Sequence, residues 1–278
     1  MLNYTKLLKQ EPLPTGFYAI CGKQGAGKTS LAVGLLRTDY KRWRKWRYNK
    51  ANELAEAYRK NNGIRLDIST SLYFSNTPIL LDRRRGIYTH KIDLHELGLP
   101  NDDYEVQYLP RGSVVFIQEA DILAYCRDWN NLSKYLRDLM KYVRHNLLTI
   151  IFDMQVGGAL DKALRELECG QFYVVSSGVK RFFLFWKCQK WKFLYSDPQL
   201  NSTVKELTKL GVHIKLKVAE WGKFRVMGNV FDCYNSFSGV PYFLKGIENV
   251  GYQYCEHVDG DLSVSGIERY CAAHPLKK

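Results

Sequence analysis

The sequence predicts an α/β fold in which helices flank a mainly parallel sheet, followed by a β-rich extension. Three observations predict this fold: a glycine-rich loop lies between an apolar stretch and a helical pattern, and two later apolar runs each end in polar residues. Strands that alternate with helical segments are typical of parallel sheets. We expect an α/β core over residues 1–178 and a basic, β-rich extension over residues 179–278.

The glycine-rich loop is Gly22–Thr29, GKQGAGKT, which matches the pattern GxxxxGK[ST] at every fixed position. Its glycines allow the backbone N–H groups to point inward at a triphosphate. Lys28 can reach the β- and γ-phosphates, Thr29 can ligate Mg²⁺, and the following helix directs its positive end at the same phosphates. The loop predicts a P-loop NTPase fold that binds ATP and Mg²⁺ through Gly22, Lys23, Gln24, Gly25, Ala26, Gly27, Lys28, Thr29 and Ser30.

A helical pattern follows the loop and ends at Asn61-Asn62-Gly63, which predicts one long helix or two helices in series. Its middle part, Lys41–Lys50, interleaves basic and aromatic residues. Two interpretations remain open: a nucleic-acid contact, or a helix whose Trp rings pack on the core while its cations stay in water. A β-rich stretch with a hairpin comes next. The hairpin tip, Arg83-Arg84-Arg85-Gly86, is a second candidate DNA contact or a solvated charge run.

The second part of the expected nucleotide site follows a buried strand at Val114–Ile117. In P-loop ATPases with an added strand between their two Walker motifs, an Asp after this strand holds the Mg²⁺ shell and a Glu polarises the attacking water. Here Glu119 is the candidate catalytic carboxylate. Gln118 occupies the Asp position and is, with Thr29, a candidate metal-site residue. Because Gln118 brings no charge, weaker metal affinity or a contribution from Glu119 or Asp121 are the alternatives.

A third apolar run, LLTIIFDMQ, ends at Gln155. A polar residue at the end of the strand beside the Walker B strand can sense the γ-phosphate or orient water. An ordinary strand-end Gln that meets solvent is the alternative. The matching order of the P-loop, Glu119 and Gln155 favours the sensor.

Several short motifs together resemble the zonular occludens toxin (Zot)-like ATPases, which are assembly proteins of filamentous phages within the FtsK and HerA group. These motifs are GKQGAGKTS, SNTPI, VVFIQEAD, an Arg-His pair before an apolar strand, IIFDMQ and ALDKALREL. The resemblance covers about residues 15–180, and VFDCYNSF at 230–237 is a weaker echo of a tyrosine-containing motif.

The resemblance implies a RecA/FtsK-like ATPase that forms a homo-oligomeric ring and moves DNA, the viral genome, during packaging or extrusion. It implies that Glu119 is catalytic, that Gln155 is the sensor and that Arg144 reaches the γ-phosphate of a neighbouring subunit. A salt bridge or a helix C-terminal charge is the alternative for Arg144. Capsid or membrane assembly proteins are the further partners. Two features depart from the family: Gln118 replaces the expected Asp, and the sequence has no membrane span.

Composition agrees with a polyanionic partner. The formal charge is +13 and 46% of the residues are hydrophobic, which favours a globular protein that binds nucleic acid or an anionic surface. A ribosomal protein or a simply basic surface is the alternative. No 18-residue apolar window and no signal peptide are recognisable. Seven cysteines beside a P-loop read as reduced thiols. We expect the host cytoplasm, with a peripheral position at the membrane or a virion vertex as the alternative.

Two other functional classes remain open. Lys23 lies where the ParA and MinD type of P-loop, KGGxGK[ST], carries its signature lysine, although Gln24 replaces the first glycine of that motif. A nucleotide-gated DNA- or membrane-binding protein with poor turnover would also explain Gln118. In the tail, a zinc site is a weak alternative because the one-residue spacing of its first pair fits common fingers badly; its residues would be Cys255, His257, Cys271 and His274.

Overall fold

The computed structural model describes residues 1–62, 72–91, 109, 112–118, 143–145, 147–155, 167–182, 186–198, 209, 219–228 and 230–234. The candidate zinc residues of the tail lie outside this part. The described elements are β1 (Leu2–Asn3), α1 (Tyr4–Gln10), β2 (Gly16–Cys21), α2 (Lys28–Asn62), β3 (Tyr73–Ser75), β4 (Leu80–Asp82), β5 (Ile87–Tyr88), β6 (His90–Lys91), β7 (Val114–Ile117), β8 (Thr149–Asp153), β9 (Glu168–Phe182), β10 (Trp186–Ser196) and β11 (Ala219–Met227).

Within the described ranges, nine strands form one sheet in the order β1-β11-β10-β9-β2-β8-β7-β3-β6. All neighbours from β9 to β6 are parallel, whereas β10 is antiparallel to both β9 and β11. The strands β4 and β5 pair as a separate antiparallel hairpin, with the exposed arginines of the predicted tip between them. The predicted mainly parallel sheet, the hairpin and the β-rich segment after residue 178 are therefore confirmed.

The strand β8 lies between the P-loop strand β2 and the strand β7. In this arrangement Ile20 pairs with Asp153, and Phe152 pairs in turn with Ile117. All three strands are fully buried, which explains their continuous apolar runs. Because they are parallel, their carboxyl ends meet at one edge of the sheet, and the P-loop begins at that edge.

The predicted long helix is confirmed as α2, a 35-residue helix that begins at Lys28. Its first turns are buried at Leu31, Leu35 and Leu36, and the spacing of these residues places them on one side of the helix. They pack in the same core as Trp191 and Phe224 of the antiparallel strands. The helix therefore fixes the P-loop against both halves of the sheet.

A buried ion pair holds the middle of α2. Arg47, which is 2% exposed, donates from Nε to Asp39 Oδ1 at 2.7 Å. The same carboxylate accepts hydrogen bonds from the Tyr73 hydroxyl at 2.7 Å and the Leu13 amide at 2.6 Å. Trp43 donates its indole N–H to a backbone carbonyl at 2.9 Å. Arg47 and Trp43 are thus structural, but Arg47 is a buried cation and Trp46 is 46% exposed, so both interpretations of the basic helix segment stay predictions.

Two further predictions concern the chain as a whole. The strand β9 passes through residue 178, where the core was expected to end; the division into two domains stays a prediction. Among the helices of the described ranges, none combines the length and the apolar composition needed to cross a membrane.

Candidate functional site

The P-loop adopts backbone conformations that favour glycine. Gly22, Gly25 and Gly27 have φ values of +148°, +75° and +92°, a region that side chains with a Cβ rarely occupy. A Cβ on Gly22 would lie 2.7 Å from the carbonyl oxygen of Val174, and one on Gly27 would collide with Ser177. The strand β9 therefore lies directly behind the loop, which leaves the opposite side of the loop for a ligand.

The side chains of the loop divide into exposed and half-buried groups. Lys23 and Gln24 are exposed, whereas Lys28 and Thr29 are half-buried at the start of α2. The Lys28 ammonium lies 3.5 Å from the carbonyl oxygen of Lys23, so it is folded over the loop. A lysine in this position offers a positive charge to an anion held by the backbone amides.

The hydroxyl of Thr29 donates a hydrogen bond to the Oδ2 atom of Asp153. Asp153 ends β8 and is 2% exposed. This contact places a buried carboxylate beside the P-loop hydroxyl. A hydroxyl that gives its hydrogen to a carboxylate keeps its lone pairs for a cation, and hydroxyl and carboxylate oxygens are donors that Mg²⁺ prefers.

Gln118, the predicted partner of Thr29, follows β7 and is 3% exposed. Its backbone N–H donates to Asn76 Oδ1 at 2.8 Å, and its carbonyl accepts from Asn76 Nδ2 at 3.0 Å. Its side-chain Oε1 is buried and has no hydrogen-bond partner within the described part of the chain. The carboxylate that pairs with Thr29 is therefore Asp153 of the neighbouring strand and not a residue that follows β7. The metal-site role of Gln118 stays a prediction.

Ser30 connects the loop to the C-terminal part of the chain. Its hydroxyl donates to the Gly27 carbonyl at 2.9 Å and accepts from the Trp191 indole N–H at 3.1 Å. Tyr234 also forms a side-chain hydrogen bond with Ser30. The pKa of Tyr234 is raised well above its usual range, mainly by burial and next by the charge of Asp153. Tyr234 belongs to the weak tyrosine-containing motif, so this residue of the motif lies at the site.

Cys21, the last residue of β2, lies next to the loop but is not a reactive group. Burial is the main cause that raises the pKa of its thiol to about 12, while a hydrogen bond from Gln171 lowers it in part. The Gln171 amide lies 3.3 Å from the sulfur. At neutral pH the thiol is protonated, so Cys21 acts as an apolar support of the P-loop strand.

The other predicted residues differ in position. Glu119, the candidate catalytic carboxylate, lies outside the described residues. Gln155 is exposed two residues after β8, at the same edge as the P-loop, and its sensor role stays a prediction. Arg144 is exposed before the start of β8 and lies 3.4 Å from Cys169 Sγ.

The position of Arg144 limits what it can do. The strand that separates it from the P-loop edge, Thr149–Asp153, is about 13 Å long. Arg144 therefore belongs to the opposite edge of the sheet from the site of its own chain. Its expected role in the site of a neighbouring subunit stays a prediction.

The P-loop follows β2, a central parallel strand, and β8 lies between β2 and β7, the strand that Gln118 follows. This arrangement defines the P-loop NTPase fold of the added-strand class. The predicted fold class is confirmed. The chain is similar in structure to the N-terminal domain of zonular occludens toxin from Neisseria meningitidis, with 19% identity, 80% of this chain and 100% of that chain covered, and a TM-score of 0.40.

Two further structural neighbours were found. The DNA-packaging ATPase B204 from Sulfolobus turreted icosahedral virus has 12% identity, covers 68% of this chain and 94% of its own, and gives a TM-score of 0.34. The flagellar accessory protein FlaH from Methanocaldococcus jannaschii has 11% identity, 68% and 81% coverage and a TM-score of 0.33. No family model and no curated protein sequence matches the chain. The neighbours thus include a domain of the kind that the motifs resemble.

Sequence reasoning missed two residues of the site. Asp153 was available as a signal, because it ends an apolar strand two positions before Gln155. Trp191 was not, because only the folding of β10 onto α2 brings it to Ser30, 161 positions away in sequence.

Proposed function

We propose that the chain is a Mg²⁺-dependent P-loop ATPase that acts as an oligomeric ring and moves DNA during viral genome packaging or virion assembly. The observation that carries the ATPase part is the contact between Thr29 and the buried carboxylate of Asp153 at the edge where the P-loop begins. It supplies the charged oxygen that a Mg²⁺ site needs and that Gln118 lacks. When bound, Mg²⁺ would neutralise charge on the phosphates of ATP.

The chain's own groups have distinct tasks in this proposal. The loop amides and Lys28 hold the triphosphate, and the hydrogen bond to Asp153 orients the Thr29 hydroxyl so that its lone pairs remain available. Glu119 orients and deprotonates the attacking water. Gln155, at the same edge, contacts the γ-phosphate end.

The DNA-motor part rests on different support. The order of the P-loop, VVFIQEAD, Arg144-His145 and IIFDMQ resembles the Zot-like ATPases, and the formal charge of +13 suits a polyanion. Arg144, at the far edge of the sheet from its own site, is available to a neighbouring subunit. These features support a ring in which one chain completes the site of the next.

ATP hydrolysis by the purified chain tests the proposal. We expect turnover that requires Mg²⁺ and rises with DNA. Lys28→Ala should lose nucleotide binding, and Glu119→Gln should keep binding while turnover stops. Lys9→Ala is the control for the loss of an exposed lysine, because Lys9 lies on α1, outside the P-loop and outside the two candidate DNA contacts. Nucleotide binding without turnover at any DNA concentration would refute the motor.

A second candidate, a nucleotide-gated binding protein with poor turnover, is favoured by Gln118 at the Walker B position. Mass photometry with an ATP analogue and DNA separates the two classes, because the 32.3 kDa chain gives different masses as a ring and as a sandwich dimer. A species of twice the chain mass that is lost on Lys23→Ala would support the ParA and MinD type. A larger DNA-bound species supports the ring.

A further inference from the structure

The antiparallel strands β9, β10 and β11 present one face to the core and one face to solvent. Trp191 and Phe193 of β10 are buried against α1 and α2. Lys190, which precedes Trp191, and Lys192, which lies between the two aromatic residues, are exposed. Alternation along a strand sends successive side chains to opposite faces. We call the solvent side of these three strands the outer face.

Cations on the outer face lie opposite one another. In the register of β10 and β11, Lys190 pairs with Arg225 and Lys192 pairs with Lys223. All four side chains are exposed, and none of them forms an ion pair with another described residue. Like charges directly across a sheet destabilise it. Two adjacent pairs of this kind are therefore a cost that an anionic ligand would remove.

Acidic residues do not offset these charges within the described parts of the three strands. Glu168 is 3% exposed at the start of β9. Glu220 pairs with Tyr195, so it lies an odd number of positions from the cations and belongs to the opposite face of the sheet. Its carboxylate binds the N-terminal amine at 3.1 Å. The charged side chains on the described part of the outer face are therefore all positive.

Aromatic side chains continue the outer face beyond the cations. The next row of the ladder consists of Tyr173, Leu194 and Trp221, since Leu194 pairs with both of the others. Trp221 is 54% exposed and Tyr173 is 44% exposed. Successive rows on one face are about 7 Å apart. Exposed rings beside cations are the combination that binds single-stranded nucleic acid, because phosphates meet the charges and bases stack on the rings.

We propose that the outer face of β9, β10 and β11 binds single-stranded nucleic acid. This assignment rests on the DNA partner of the proposed function and names the surface and the form of DNA. A duplex hides the faces of its bases, and a membrane surface would use the cations without requiring the flat aromatic row. The same strand β10 carries Trp191 on its inner side, in contact with Ser30, so the surface backs directly onto the P-loop helix.

Fluorescence anisotropy with a labelled 20-nucleotide oligo-dT, without ATP, tests the assignment on the full chain. We expect Lys192→Gln/Lys223→Gln to weaken binding and to reduce the slope of log affinity against log salt by about 1.4, because each lost phosphate contact on a single strand accounts for about 0.7. Trp221→Ala should weaken binding roughly 5- to 150-fold with the slope unchanged. Lys6→Gln/Lys9→Gln on α1 is the control with the same charge loss and should bind as the wild type does.

Three outcomes would overturn the assignment. The first is an unchanged affinity for oligo-dT in both outer-face variants, and the second is a 20-base-pair duplex that binds as tightly as oligo-dT, with no effect of Trp221→Ala on either. The third is binding only to vesicles of phosphatidylserine and phosphatidylcholine. The double Lys variant removes a like-charge pair, so its melting temperature should not fall. An unchanged melting temperature then shows that the lost binding does not come from misfolding. Basal ATPase activity is measured on the same variants. A wild type that binds oligo-dT without hydrolysing ATP would contradict the proposed function and leave the surface assignment intact.

Discussion

Replacing Asp153 with Asn tests the carboxylate that the P-loop meets. The change removes the charge and keeps an oxygen that can accept the hydrogen bond from Thr29. A hydrogen bond to a charged group contributes about 1.5–3 kcal/mol and one between neutral groups about 0.5–1.5 kcal/mol. The difference of roughly 1–1.5 kcal/mol corresponds to about a 5- to 12-fold change in the equilibrium constant for holding the Thr29 hydroxyl in place. Any direct attraction between the carboxylate and the metal comes in addition. Loss of a partner that orients a metal ligand typically costs 10- to 100-fold in metal affinity.

We therefore expect Asp153→Asn to weaken Mg²⁺ binding about 10- to 100-fold in the presence of a saturating fluorescent ATP analogue. In EDTA the sign should differ: the variant should bind the analogue at least as tightly as the wild type, because a negative charge next to the phosphates has been removed. The melting temperature of the ligand-free chain should fall by only a few degrees, because the change weakens the hydrogen bond to Thr29 by roughly 1–1.5 kcal/mol and keeps an acceptor in its place. Asp82→Asn, on the hairpin strand β4, is the control for the same chemical change elsewhere.

Two results would refute this reasoning about Asp153. Wild-type Mg²⁺ affinity in Asp153→Asn would mean that the carboxylate takes no part in the metal site. A large drop in melting temperature, together with weaker analogue binding in EDTA, would mean that Asp153 supports the fold of the loop instead. The measurement in EDTA separates these two cases, since a purely structural role predicts weaker binding under both conditions.

Two further predictions concern stability and the loop. Asp39→Ala should lower the free energy of unfolding by about 3–5 kcal/mol in urea denaturation, because it leaves Arg47 buried and unpaired; Glu53→Ala, which removes an exposed ion pair, should cost less than about 1 kcal/mol. Gly22→Ala should abolish binding of the ATP analogue, because its Cβ would lie 2.7 Å from a carbonyl oxygen of β9. Gly86→Ala, whose Cβ meets nothing within 4 Å, should bind normally and lose only about 1–2 kcal/mol through left-handed strain. Equal effects within either pair would contradict these contacts.

Local signals predicted much of this molecule. The glycines at positions 22, 25 and 27 stand where the backbone has positive φ, and the helical spacing after Thr29 predicted the long helix α2. The continuous apolar runs predicted β7 and β8 because buried parallel strands need no polar face. In each case the sequence pattern and the physical requirement lie within the same short segment.

The remainder depends on contacts between distant segments. The basic stretch of α2 left two interpretations open, because only tertiary packing decides that Arg47 meets Asp39 while its neighbours stay in solvent. Asp153 was part of a recognised strand, yet its role follows from the pairing of β8 with β2, which places it beside Ile20. The sequence carries no sign of that register. Trp191 and Tyr234 reach Ser30 for the same kind of reason.

A neutral Gln118 fits the proposed metal site once the ends of β7 and β8 are compared. Phe152 pairs with Ile117, so the residues that follow, Asp153 and Gln118, are neighbours across strands about 4.8 Å apart. Two carboxylates at these buried positions would repel each other, and one of them would resist ionisation. A single carboxylate on β8 and a neutral amide on β7 keep one full charge beside Thr29. In the proposed function the metal site requires a charge at this place in space, and Asp153 of β8 supplies it in place of a residue that follows β7.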